Sequence, residues 1–252
     1  MAKKRSAREL TVKAATQLTQ NMRRLTLHGE SLATFPEEAE GAYFKLTFPS
    51  SDPERPILRT YTVSQFRPEL HEIDVDFMLH ANPDGSTGGI AAPWAIQAQV
   101  GDKMPIFGPG PATFINTQAD WYLLAADMTA LPALTANLSR LPADAKGYIV
   151  IEIIADEDKQ ELPIPANMSV IWVVNPLSGS DDSPLYHAIK ELEWLNGQVA
   201  VWAACEFKTM KKCRQYFRET RQIEKSHCYV SSYWKKGLQE EEHKVAKRED
   251  VA

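Results

Sequence analysis

A small antiparallel β-barrel followed by an open, mostly parallel α/β sheet is the fold class that this 252-residue sequence predicts. Two patterns carry the expectation. From residue 10 to about 115, short alternating segments are separated by turn clusters such as "SSDPERP", "ANPDGSTGG" and "QVGDK", the spacing of a small barrel. After residue 118, continuous apolar runs such as "WYLLAAD" alternate with helical stripes, as strands buried on both faces between helices require. No repeat or low-complexity linker intervenes, so the expected domains are 1–117 and 118–252.

In the first half, "ELTVKAAT" and "MRRLTLHG" flank "QLTQN" as a hairpin, and "AYFKLTF", "RTYTVSQF", "EIDVDFMLH" and "KMPIFG" are the remaining strands. The segment "IAAPWAIQA", residues 90–98, reads as one short helix. In the second half "TALPALTANLSRL" is helical, with Thr129 as its cap and Pro132 in its first turn, where proline is tolerated. "GYIVIEIIAD" and "SVIWVVN" are expected to be buried strands. Leu185, Ile189, Leu192 and Leu195 form a helical stripe before the strand "QVAVWAA". Phe207, Met210, Arg214 and Phe217 mark the next helix, with Arg214 its one polar interruption. "SHCYVSSYW" is the last strand and "GLQEEEHKVAKRED" a charged terminal helix.

Composition narrows the function. Hydrophobic residues are 44% and charged residues 24%, values of an ordered globular protein. No apolar run approaches a bilayer span, and no apolar segment follows the basic "MAKKRSAREL", so the expectation is a cytoplasmic protein without a membrane partner; it is taken to be a monomer. Cys205, Cys213 and Cys228 are odd in number and lack CxxC spacing; they are expected to be small buried thiols rather than a disulfide or zinc set. The net charge is −5, yet residues 201–236 carry nine Lys or Arg against three Glu. Such a segment suits an anionic partner or simply a solvated helix face. A nucleic-acid-binding module would use it too, but a pI near 5.7 argues against that class.

One stretch resists a structural reading. In "LRTYTVS", residues 58–64, alternation places Arg59, Tyr61 and Val63 on one face and Thr60, Thr62 and Ser64 on the other. A cation and a phenol are a poor way to fill a core. They suit a ligand with a phosphate at one end and a flat ring at the other. The alternative is an edge strand with a surface arginine and a core tyrosine.

Taken in order, "RTYT", "VDFMLH", "APWA", "GDKMPIFGPG", "ADMTALPAL", "VWAACE" and "YWKKG" resemble the siderophore-interacting proteins, ferredoxin-reductase-like flavoproteins that reduce ferric siderophores. The resemblance implies a Greek-key FAD-binding barrel and a second domain facing the electron donor. It implies that Arg59 binds the FAD pyrophosphate, Tyr61 packs on the isoalloxazine, and Thr62, next to them with Thr60, hydrogen-bonds near the reactive nitrogen. Asp76, Phe77, Met78, Leu79 and His80 would contact the flavin or ribityl chain. Gly88, Gly89, Ala91, Ala92 and Trp94 would open a helix against the pyrophosphate, with Trp94 either a lid or a core residue. Ile90 and Ala92 replace a proline and a hydroxyl residue of the family pattern.

In the second domain the resemblance implies that Asp127 and Thr129 face the nicotinamide side, and that Tyr233 and Trp234 lie near the ring. Lys235, Lys236 and Lys208 would attract an anionic ferric siderophore. Met128, Ala126 and Cys205 depart from the family pattern, and no GxGxxG is present. The implied donor is NADH, NADPH or reduced ferredoxin; no resident metal, nucleophile or acid–base pair is called for. The rival enzyme is a general NAD(P)H-dependent flavin or ferric reductase without siderophore preference.

Overall fold

The computed structural model describes residues 7–52, 54–79 and 88–251, and the chain divides into two compact units, Met1–Thr113 and Phe114–Ala252. Unit 1 contains β1 (Arg8–Thr19), β2 (Met22–His28), β3 (Tyr43–Phe48), β4 (Ile57–Thr62), β5 (Gln65–Arg67), β6 (Glu72–Met78), α1 (Ala91–Gln97) and β7 (Lys103–Phe107). All pairings are antiparallel, in the order β4-β3-β7-β1-β2-β6-β5. The two ends of that order, β4 and β5, are joined by Val63 and Ser64 alone. The sheet must therefore curl until its edges meet, and there Val63 N–H donates to Ala42 and Ser64 N–H to Asp74, both at the backbone carbonyl.

That closure corrects the reading of "RTYTVSQF" as one strand. β4 stops at Thr62, and Thr62, Val63 and Ser64 are buried consecutively, so strict alternation ends there, although Val63 still enters the core cluster that Tyr61 borders. The first hairpin is also tighter than expected. β1 runs on to Thr19, leaving Gln20 and Asn21 as the turn.

Alternation within each strand fills the barrel. Leu10, Val12, Leu25, Leu27, Phe44, Leu46, Ile73, Val75, Phe77 and Ile106 are all completely buried. The outer face of β6 carries Glu72, Asp74 and Asp76 instead. Arg24 grips Asp76 with two bonds of 2.7 and 2.8 Å, Arg67 grips Asp74 at 2.9 and 2.7 Å, and Lys13 pairs with Glu72.

Unit 2 is a parallel sheet of β8 (Trp121–Asp127), β9 (Lys146–Ile153), β10 (Asn167–Val174), β11 (Val199–Glu206) and β12 (Cys228–Trp234), ordered β10-β9-β8-β11-β12. Its helices are α2 (Leu131–Leu138), α3 (Pro184–Glu191), α4 (Phe207–Gln215) and α5 (Glu240–Val251). β8 and β11 are buried throughout, as their apolar runs demand. β10 is not. It forms the sheet edge, so Val170 to Val173 are only half-buried and Val174 is exposed, although the sequence resembles a central strand. α3 is likewise shorter than its stripe: Leu192 turns to extended backbone (φ −62, ψ 137), which leaves Leu195 outside the helix. Cys205, Cys213 and Cys228 are buried free thiols. The hydrogen bond with Cys213 and burial push the Cys205 thiol well up, away from the reactive thiolate.

Arg214, the polar interruption of the α4 stripe, finds its partner on the terminal helix, where Asp250 pairs with both Arg214 and Lys211. α5 docks through His243, Ala246, Lys247 and Asp250, positions spaced by three and four that line one helix face. His243 Nε2 shares a 2.8 Å hydrogen bond with Ser232 Oγ, and Lys247 donates to Ser231 Oγ and the Ser232 carbonyl. Burial lowers the His243 pKa from 6.5 to about 4. The unfolded chain thus binds the proton first, and this contribution to stability is present above about pH 6.5 and lost as pH falls toward 4. Thermal unfolding of wild type across that window should show a steeper decline than His243→Gln; parallel curves would remove the imidazole as the cause.

Candidate functional site

In unit 1 the register of β3 against β4 sets Tyr61 across from Phe44 and Arg59 across from Leu46. Both side chains therefore belong to the inner face that Phe44 and Leu46 bury. The Tyr61 ring lies 4.5 Å from that of Phe77, Phe77 lies 5.8 Å from Trp94, and Trp94 lies 5.9 Å from Phe48. Tyr61 and Trp94 remain partly exposed at the border of this cluster, and Trp94 is thereby a packing residue of the core. Arg59 is half-buried, and its Nη1 donates to the Leu58 carbonyl at 2.8 Å.

The other members of the expected set separate. Thr60 is exposed on the opposite face, where Lys45 donates to its hydroxyl at 2.7 Å; Thr62 shares that face and is buried. The carboxylate of Asp76 is committed to Arg24 and Ser64, leaving only its backbone for a ligand. Met78 and Leu79 are half-buried, and Leu79 packs against the cluster that holds Phe77. His80 lies outside the described residues. Gly88 and Gly89 lead into α1, Gly89 with φ +73, where Ala91 and Ala92 are buried. Half-buried guanidinium and phenol on one face of one strand fit a phosphate-bearing ligand with a planar apolar ring.

In unit 2 the strand order reverses between β8 and β11, and open α/β sheets bind ligands outside the carboxyl ends of strands at such a point. A carboxylate ends each of these strands. Asp127, 2% exposed, accepts hydrogen bonds from Thr129 N–H (3.0 Å), Thr129 Oγ1 (2.5 Å) and Trp234 Nε1 (2.8 Å). Burial pushes its pKa up against those three donors. Asp127 is thus the cap of the turn that leads into α2, correcting the assignment to Thr129, and its carboxylate points inward at Trp234 rather than outward. The aspartate wins because its oxygen reaches a free backbone N–H two residues on, the geometry of an N-cap. Pro132 does occupy the first turn.

Glu206 performs the same task at the end of β11. It accepts from Lys208 N–H at 2.6 Å and Thr209 N–H at 3.3 Å, capping α4, and from Lys236 N–H at 3.2 Å. Lys208, Trp234 and Lys236 are in this way gathered at one end of the sheet. Their charges differ in availability. Lys208 pairs with Asp181 at 2.5 Å, Lys235 lies 4.5 Å over the Phe207 ring, and the exposed Lys236 donates to the Ser178 carbonyl at 3.3 Å. Tyr233 and Trp234 are half-buried beside them. Sequence reasoning did not single out Asp127 and Glu206 as organisers, although an acid directly after a run of small and apolar residues ("LLAAD", "WAACE") was a readable signal.

Residues 119–237 match the family model described as siderophore-interacting protein, and residues 11–54 and 50–113 match the siderophore-interacting FAD-binding domain. The chain belongs to the siderophore-interacting protein family. Ferric vibriobactin reductase ViuB of Vibrio cholerae is 33% identical over 243 residues, covering 89% of this chain and 88% of that protein. The NADPH-dependent ferric-chelate reductase of Escherichia coli is 26% identical over 248 residues, covering 90% and 92%. The siderophore-interacting protein SipS from Aeromonas hydrophila superposes with a TM-score of 0.85 at 32% identity over 98% of both chains. The match to the FAD-binding-domain model of this siderophore-interacting protein falls within unit 1, and the match to the siderophore-interacting-protein model falls within unit 2.

Proposed function

We propose that this siderophore-interacting protein reduces ferric siderophores with FAD held on unit 1, so that iron leaves as Fe(II). The observation that carries the reading is the shared inner face of Arg59 and Tyr61, within the segment that matches the FAD-binding family model. Bound FAD would supply the exchange between a two-electron donor and a one-electron acceptor, which no side chain provides. The chain's own residues bind and orient. Arg59 holds phosphate and Tyr61 offers an apolar ring face, while the backbone of residues 76–79 and of Gly88 to Ala92 can approach closely. Siderophores hold iron by hard oxygen donors that favour the more highly charged ion, so reduction loosens the chelate without cutting it.

NADPH is the favoured donor, in line with the name of the Escherichia coli relative, with NADH and reduced ferredoxin as the alternatives. No helix among the described residues is long and apolar enough to cross a membrane. The deciding experiment is anaerobic: the protein is reduced with NADPH, NADH or reduced ferredoxin, then mixed with ferric siderophores and with simple ferric chelates. Flavin reoxidation by siderophores well above that by simple chelates supports the reading. Equal rates would favour the general ferric reductase, and a colourless protein that takes up no FAD would end both.

Lys235 and Lys236 are the proposed attractants for an anionic chelate. Neutralising both to alanine should raise the apparent KM for an anionic ferric chelate by about two- to tenfold at low salt. The effect should shrink once the Debye length falls below about 8 Å, and a neutral chelate should be little affected. Adding Lys208→Ala should change less, because Asp181 already compensates that charge. Equal losses for both chelates would locate the defect elsewhere.

A further inference from the structure

Two consecutive arginines on β2 meet opposite fates. Arg24 faces outward and is fully engaged by Asp76, Asp74 and Ser64. Arg23 faces inward, in register with Phe77 and on the same face as the completely buried Leu25 and Leu27. Its Nε is buried, and Arg23 makes no hydrogen bond or ion pair with any described residue. Gln17, its partner across β1, is occupied with the carbonyls of Thr19, Gln20 and Met22. A buried donor without an acceptor is costly and rare in native proteins. An inward, half-buried guanidinium that pairs with no acid among the described residues has the chemistry of a ligand contact.

Its position says which ligand. Phe77 touches the Tyr61 ring at 4.5 Å, and Arg59 lies two residues from Tyr61 on the same face of β4, about 7 Å along the strand. Arg23, level with Phe77, and Arg59, two residues from Tyr61, thus border the same inner-face aromatic cluster, each strand contributing one guanidinium to it. We infer that Arg23 is a second phosphate contact for the dinucleotide, working with Arg59. This rests on the FAD-binding function proposed above, and it adds a residue that neither the "RTYT" motif nor any other family segment marked.

The test uses the full chain freed of flavin, titrated with FAD and with riboflavin, which has the same ring and no phosphate, and followed by flavin fluorescence. Arg23→Gln should weaken FAD binding about tenfold or more and leave riboflavin binding within about twofold, with an unchanged melting temperature in the absence of flavin. Arg23→Lys should recover part of the loss, since an ammonium keeps the charge but not the fork of donors. Unchanged FAD affinity in Arg23→Gln would overturn the inference and leave the function standing. So would equal losses for FAD and riboflavin, which would mean a disturbed barrel. A wild-type chain that binds neither flavin would overturn the function itself.

Discussion

Arg59→Ala should purify with less than about a tenth of the flavin bound by the wild type when both are dialysed against the same buffer. Hydrogen bonds to a charged group contribute roughly 1.5–3 kcal/mol, or about ten- to 150-fold in affinity. The guanidinium has no substitute on its own strand: Thr60 and Thr62 point to the opposite face, and Tyr61 offers a ring rather than a cation. Arg59→Lys should fall between wild type and alanine. Thr60→Ala is the control, because that exposed hydroxyl lies on the opposite face, where it accepts from Lys45, and its flavin content should match wild type. Absorbance at the flavin band against protein concentration reads the result. Full occupancy in Arg59→Ala would sink the assignment of the phosphate site.

Gly147→Ala should be the most damaging small substitution in unit 2. Gly147 opens β9 between Tyr122 of β8 and Met168 of β10, with φ +136, a conformation that L side chains rarely adopt. A Cβ there would stand 2.0 Å from the Tyr122 carbonyl oxygen and 2.9 Å from the Tyr122 nitrogen. Backbone within a parallel sheet cannot step aside without breaking its ladder, so steric and torsional penalties combine to about 3 kcal/mol or more. At the size of this chain that is a fall of roughly 6–12 °C in melting temperature. Gly101→Ala separates the two causes, since Gly101 has φ +99 but nothing within 4 Å of its would-be Cβ. Equal losses at the two glycines would mean that torsion alone, and not the approach of β8, is responsible.

Both variants sit where local pattern and tertiary context part company. The barrel and the parallel sheet were legible because alternation and apolar runs are local properties that each strand must show by itself. "WYLLAAD" and "QVAVWAA" became the buried β8 and β11. The same reasoning misjudged "SVIWVVN", because apolar residues on an edge strand read like those of a central one until the order of strands is known. The stretch "RTYT" was recognisable as a ligand-type face from its chemistry, but its division from "QF" followed from barrel closure, which no seven-residue window contains.

The sequence by itself determined the two kinds of sheet, the family resemblance, the pairing of Arg59 with Tyr61 on one face, and the burial of the three cysteines. The tertiary structure decided which charges have partners. Arg23 and Arg24 are neighbours of the same residue type, yet one is clasped by Asp76 and the other lies against Phe77. Thr129 was the expected cap, but Asp127 takes that place by accepting from Thr129 N–H, and its other oxygen accepts from the distant Trp234. The physical reason is that strand periodicity fixes which side chains share a face, whereas the acid, ring or void across from that face is supplied by residues distant in sequence, brought there by register and closure.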